Sequence, residues 1–256
     1  MTSETPSEAL RPGGLVAKYM SVLNDQIGQI IADQEALNQC AAVIAESLQR
    51  GEVLHVWGAG HSFMFAKEMF YRSGGLAPVN PLYDLNLIGV SIGSLSIADY
   101  DNLLGYGPKI LAQHQIFAGE CLILFTTPGV SVAAVDLAIA ARERGLTTIG
   151  VCSLDYSSKV TPRHPTGMRL QDACDLVIDH PVSFGDAAVA LTPDIAVGAT
   201  GTITGMLICQ LIALQVAENY RDRGLVAPIV QAGVVAGAAE RNQEVLQPYR
   251  WRLKHL

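Results

Sequence analysis

Apolar and polar positions follow two periods along this chain, and the places where the period changes mark its elements. From Val16 to Leu48 the apolar residues Val16, Met20, Leu23, Ile27, Ile30, Ile31, Leu37, Ala41, Ile44 and Leu48 recur at helical spacing, which predicts one long or two consecutive amphipathic helices. Gly51 fits a C-terminal stop, and the β-type run Val53 to Trp57 reads as a first strand. A helix is expected from Phe63 to Tyr71, ended by Gly74-Gly75, and Leu76 to Tyr83 reads as a Pro-interrupted strand near a sheet edge. Asp101 to His114 is a weaker helical stretch. Glu120 to Phe125 is a continuous apolar run of the kind covered on both faces of a parallel sheet. The pattern then repeats as a helix from Ser131 to Arg144 with Gly145 as its stop, strands at Thr147 to Cys152 and Leu176 to Asp179, and a buried helix from Gly201 to Tyr220. Strands alternating with helices imply right-handed βαβ crossovers, hence an α/β fold around a parallel sheet.

Length and charge narrow the class. The 256 residues, half of them apolar, suffice for one substantial core, and no linker-like segment divides them. Residues 1–14 read as a flexible N-terminus and 15–256 as a single domain, with helices over 15–50, the α/β core over 51–222 and an extension over 223–256. A net charge of −7 without a Lys/Arg stripe speaks against nucleic acid. Residues 1–14 lack a secretory pattern, and the longest apolar run, Thr202 to Ala217, falls short of the ~20 residues of a membrane span, so a cytoplasmic protein without a membrane partner is expected. Five scattered cysteines without metal spacing read as reduced core residues, and neither metal nor cofactor is expected.

Chemistry is expected in the loops after the strands. Gly58-Ala59-Gly60-His61-Ser62 ends the first strand in glycines and a hydroxyl and opens a helix, a pattern suited to a phosphorylated small molecule. Hydroxyls and glycine recur in Thr126-Thr127-Pro128-Gly129-Val130-Ser131 and in Thr200-Gly201-Thr202-Ile203-Thr204. Glu68, two turns into the helix after the glycine loop, is the best placed carboxylate for a base, or else a surface residue paired with Lys67 or Arg72. His61 reads as an acid, a phosphate contact or a helix-start residue, and His164 in a long loop after a strand as a second acid or, with Arg163 and Arg169, as part of a solvated basic trio. Asp186 reads as a ligand of sugar hydroxyls or as a cap. Asp136 is expected to face solvent or a partner helix. A dinucleotide reading of Gly58-Ala59-Gly60 lacks its third glycine, and Asp84 meets the expected acidic position only loosely.

These stretches, together with Ala66-Lys67-Glu68-Met69-Phe70-Tyr71-Arg72, Val160 to Gly167 and Phe184-Gly185-Asp186-Ala187-Ala188, resemble the sugar isomerase (SIS) phosphosugar-binding domain, and more closely a stand-alone SIS subfamily. The resemblance implies a three-layer α-β-α sandwich on a five-stranded parallel sheet plus N-terminal helices. It implies a sugar phosphate as ligand, aldose–ketose isomerisation through an enediol with Glu68 as base and His61 or His164 as acid, and a homodimer or homotetramer, with His164 reaching its own or a neighbouring subunit's site. Gly58, Gly60, Ser62, Thr126, Thr127, Gly129, Ser131, Thr200, Thr202 and Asp186 are its expected binding residues. In this family a Ser-x-Ser-Gly loop is usual, often with a Glu base beyond it; here Pro128 replaces the second serine and Ala133 stands where the Glu would fall. Alternatives are a non-catalytic phosphosugar sensor or a lyase acting on an N-acetylmuramic acid phosphate.

Overall fold

The computed structural model describes residues 13–91 and 93–256, so the expected N-terminal segment lies almost wholly outside them. The N-terminal periodicity resolves into two helices, α1 (Leu15–Ala32) and α2 (Gln34–Gln49), because Asp33 leaves the helical region and the Gln34 amide caps the Ile31 carbonyl at 2.7 Å. Then follow β1 (Leu54–Gly58), α3 (Phe63–Met69), β2 (Val79–Pro81), α4 (Ile97–Asp101), α5 (Tyr106–Leu111), β3 (Cys121–Phe125), α6 (Val132–Glu143) and β4 (Thr147–Cys152). The chain continues through α7 (Leu154–Ser158), α8 (Leu170–Ala173), β5 (Leu176–Asp179), β6 (Ala187–Thr192), β7 (Ile195–Ala199), α9 (Gly201–Asp222) and α10 (Ala238–Leu246).

Strands β1 to β5 form one parallel sheet in the order β2-β1-β3-β4-β5, so the Pro81-bearing strand does lie at an edge, where a missing N–H is tolerated. Strand alternation builds two cores. Leu54, Val56, Cys121, Ile123, Phe125, Ile149 and Val151 face α2, α3 and α9, whereas Trp57, Leu122, Leu124 and Cys152 face α5, α6 and α8. That is the expected three-layer sandwich.

One expectation needs correction, one element carries no signal in the sequence, and one expected helix runs two residues longer. The stretch Asp101 to His114 is not one helix, because Gly105 at φ +79° in the left-handed region separates α4 from α5. The run Ala187 to Ala199 forms an antiparallel hairpin that its small residues and Pro193 did not signal. Helix α9 runs 22 residues, long and apolar enough by composition to cross a membrane. Its Ile208, Cys209, Ile212, Val216 and Tyr220 lie in the core against the sheet, as expected of a buried helix.

Candidate functional site

In this strand order the strands are added to one side of β1 and then to the other, so its crevice with β3 is the switch point, the expected ligand position in an open α/β fold. Gly58 pairs in register with Phe125, so residues 59–62 and 126–129 leave adjacent strands side by side. Helix α3 then departs to one face of the sheet and α6 to the other, which opens the crevice between them.

The β1 loop folds back on its own strand end. A Cβ at Gly58 would stand 2.2 Å from the Ser62 carbonyl oxygen, so only glycine fits beneath this turn. The Gly60 amide donates to Leu87 at 2.7 Å and the Ser62 amide to Ala59 at 3.0 Å, so these two amides, expected at the ligand, are engaged within the protein. The Ser62 side chain makes no cap bond, and His61 beside it is exposed.

The β3 loop is a tight turn closed by Gly129 donating to the Thr126 carbonyl at 3.2 Å; the Ser153 amide holds the Thr127 carbonyl at 3.0 Å, and the Leu170 amide holds that of Gly129 at 2.8 Å. The hydroxyls of Ser62, Thr126 and Thr127 have no protein partner among the described residues. Ser131 differs. Its oxygen accepts from the Ala134 amide at 3.1 Å as the N-cap of α6 and donates to Asp101 at 2.5 Å, which removes it from the donors offered to a ligand.

The α9 entry departs further from expectation. Asp186, itself at φ +64°, accepts from the amides of Gly201 at 2.8 Å and Thr200 at 3.3 Å and so caps a helix that begins fifteen residues later. A phosphate on Thr200 and Thr202 would meet this carboxylate, and the Thr200 hydroxyl is buried, so the anion seat of α9 is filled by the protein. Behind it, His180 meets the Thr204 hydroxyl at 2.8 Å.

Glu68 and His164 are also placed away from the crevice. Glu68 lies six residues past Ser62, about 9 Å down the helix axis at the usual rise. It pairs with Arg72 and accepts from the Gln210 amide of α9 at 2.7 Å, next to a cavity of about 10 Å³, room for one water. His164 is buried: its Nε2 faces Asp136 at 3.1 Å, and its Nδ1 faces the Thr166 hydroxyl at 2.7 Å and the Thr166 amide at 3.3 Å. With Nδ1 accepting from the amide, Nε2–H donates to Asp136. Asp136 thus faces His164 and the Gly105 amide rather than solvent. This dyad locks the 160–169 loop onto α6. Asp84 accepts from the amides of Asn86 and Leu87 and from the Tyr106 hydroxyl at 2.8 Å, a turn-forming role instead of a ribose contact.

A second polar network lies at the opposite, amino ends of the strands. Glu120, fully buried just before β3, accepts from the amides of Val53 (3.1 Å) and Phe117 (2.8 Å), from His55 (2.9 Å) and from Arg252 of the C-terminal tail. His55 in turn meets the Asn80 amide at 3.0 Å. No spacing in the sequence joins residues 55, 80, 120 and 252. Burial pushes the thiols of Cys40, Cys121 and Cys152 up to about 12, so they are protonated packing residues. No group of three or more potential metal ligands occurs among the described residues.

The buried histidines carry a consequence for acid stability. Burial pushes the imidazoles of His114 and His180 down to about 4 and lowers that of His55. The unfolded chain takes up protons near pH 6.5 that the folded chain refuses, so this stability is intact above 6.5 and lost as pH falls toward 4. The melting temperature is expected to be lower at pH 5.0 than at pH 7.5; equal values would exclude the effect.

The SIS domain family model matches residues 18–153. A UPF0309 protein of Thermoanaerobacter pseudethanolicus is 32% identical over 248 residues, covering 94% of this chain and all of that one. A UPF0309 protein of Streptomyces coelicolor is 31% identical over 227 residues, 87% of this chain and 90% of its own. Among solved structures, a phosphoheptose isomerase from Francisella tularensis shares the fold with a TM-score of 0.52 at 14% identity, over 78% of this chain and 96% of that one. The Vibrio vulnificus NanR protein complexed with ManNAc-6P does so at 0.52 and 12%, over 93% and 69%. With the parallel sheet, the glycine loop at its switch point and the family match over residues 18–153, the chain belongs to the SIS domain family.

Proposed function

We propose that this protein binds a sugar phosphate in the crevice between β1 and β3 and isomerises it between aldose and ketose through an enediol. The observation that carries this reading is the set of three hydroxyls, Ser62, Thr126 and Thr127, left without protein partners where two loops leave adjacent strands at the switch point. Neutral hydroxyl donors suit a phosphate monoester that must be both bound and released. His61, exposed beside Ser62, is the group for proton transfer at the sugar oxygens. The solved SIS structures named for a phosphoheptose isomerase and for a ManNAc-6P complex support the ligand class.

A second reading, a phosphosugar-binding subunit without catalysis, draws support from one feature of the β3 loop. Pro128 offers no N–H and the Ser131 hydroxyl is committed to α6 and Asp101, so the cradle holds fewer donors than the family loop. Exposed apolar residues on α1 and on the β6–β7 hairpin, among them Val16, Ile195 and Val197, support association of two copies.

The deciding experiment is proton NMR of hexose, pentose, heptose and amino-sugar phosphates incubated with the protein in D₂O. Isomerisation predicts loss of C1 or C2 proton signals as deuterium enters; line broadening without exchange favours the binding subunit, and the absence of both would overturn the phosphosugar reading. Ser62→Ala is expected to weaken binding by about 1.5–3 kcal/mol, the worth of a hydrogen bond to a charged oxygen. Unchanged affinity in calorimetry would move the phosphate away from this loop.

A further inference from the structure

We propose that Asp101 is the catalytic base that moves the carbon-bound proton, an inference that rests on the isomerase reading above. Asp101 ends α4, and one carboxylate oxygen receives the Ser131 hydroxyl at 2.5 Å, which ties it to the residue that closes the β3 loop and caps α6. Its other oxygen has no partner among the described residues, and the side chain is partly exposed, so that oxygen is open to a ligand. The first turn of α6 carries only Val132, Ala133 and Ala134, so the carboxylate nearest this helix start is that of Asp101, held by the Ser131 cap.

Three further observations agree. Burial raises the Asp101 carboxyl above its ordinary value, against the pull of the Ser131 hydrogen bond and of the Arg163 charge, which brings a carboxylate nearer to the range suited to a general base. The Arg163 guanidinium reaches the Asn102 side chain at 3.5 Å, so the 160–169 loop lies beside the end of α4. Glu68, by contrast, is held by Arg72 and Gln210 against a one-water cavity.

The step balances without a further reactant. Asp101 takes the C2 proton of the open-chain aldose, the C–H pair forms the C1=C2 bond, and the carbonyl oxygen at C1 takes a proton from His61. The C2 hydroxyl then returns a proton to His61 as C2=O forms, and Asp101 delivers its proton to C1.

The test uses the full chain and whichever sugar phosphate of the D₂O panel the wild-type protein exchanges. Asp101→Asn keeps an acceptor for Ser131 and is expected to lower the deuterium exchange rate by about 10²-fold or more. Its dissociation constant should stay within a few-fold and its melting temperature should hold. Asp101→Glu is expected to recover part of the rate, and Glu68→Gln to exchange within a few-fold of wild type. Undiminished exchange in a folded Asp101→Asn protein, or loss of exchange in Glu68→Gln with ligand still bound, would overturn the assignment alone. Wild-type protein that binds a sugar phosphate without exchanging any carbon-bound proton would overturn the isomerase reading and this assignment with it.

Discussion

Replacing Glu120 with alanine is expected to destabilise the fold by about 3–5 kcal/mol, the cost of stranding charged and polar partners of a buried carboxylate. Four donors converge on this side chain, two backbone amides, His55 and Arg252, and all lie at the amino ends of the strands, away from the crevice. Without the carboxylate, Arg252 loses its buried counter-charge and keeps the aromatic faces of Phe117 and Trp251, 4.6 Å and 5.5 Å from the guanidinium carbon. The C-terminal tail is then released from the sheet. For a chain of this size the melting temperature should fall by roughly 6–20 °C. Affinity for a sugar phosphate in the surviving folded protein should be unaltered, because the network touches none of the crevice loops. A fall of under about 2 °C would mean that tail and network are dispensable. Burial opposes ionisation of Glu120, but His55, the Phe117 amide and Arg252 outweigh it and hold the carboxyl below its ordinary value. Its contribution is therefore present at neutral pH and lost only in acid, as pH falls through that lowered value.

Gly58→Ala should have the largest effect on ligand binding. The added methyl would stand 2.2 Å from the Ser62 carbonyl oxygen and 2.5 Å from its carbon, backbone atoms that cannot rotate away. The turn that presents His61 and Ser62 must therefore lift from the end of β1. Overpacking of this kind costs about 1–3 kcal/mol in stability. The larger consequence is geometric, since the Ser62 hydroxyl must meet a phosphate to within a few tenths of an ångström. Loss of affinity by about 10²-fold, with the far-ultraviolet dichroism retained, is the expected result by calorimetry. The comparison variant Gly60→Ala meets no atom within 4 Å and carries only the strain of φ +54°, so it should be milder. Equal affinities for Gly58→Ala and wild type would place the ligand away from this loop.

Local pattern in the chain sufficed for the sheet. Two-residue alternation in Cys121 to Phe125, with both sets of side chains apolar, already requires a strand covered on both faces, and four of the five parallel strands fall within a residue of their expected bounds. The glycine loop was equally legible, because a close turn after an apolar run demands residues without a Cβ. Composition also marked Ser131 as a helix start, although the same hydroxyl was expected at the ligand.

Spacing does not reveal which polar atoms remain free once the chain has folded. The Thr200 and Thr202 stretch and the Thr126 and Ser131 stretch look alike in sequence, yet Asp186 fills one helix start and Ser131 closes the other, leaving Thr126 and Thr127 open. Glu68 and Asp101 are both acidic residues on short helices; one was met by Arg72 and Gln210, the other by Ser131 alone. Periodicity along the chain reports which face of an element is buried, since transfer of apolar area from water depends on each segment's own pattern. The partner of a hydrogen bond depends on residues 15, 30 or 132 positions away, and only the packed sheet and its helices bring those together.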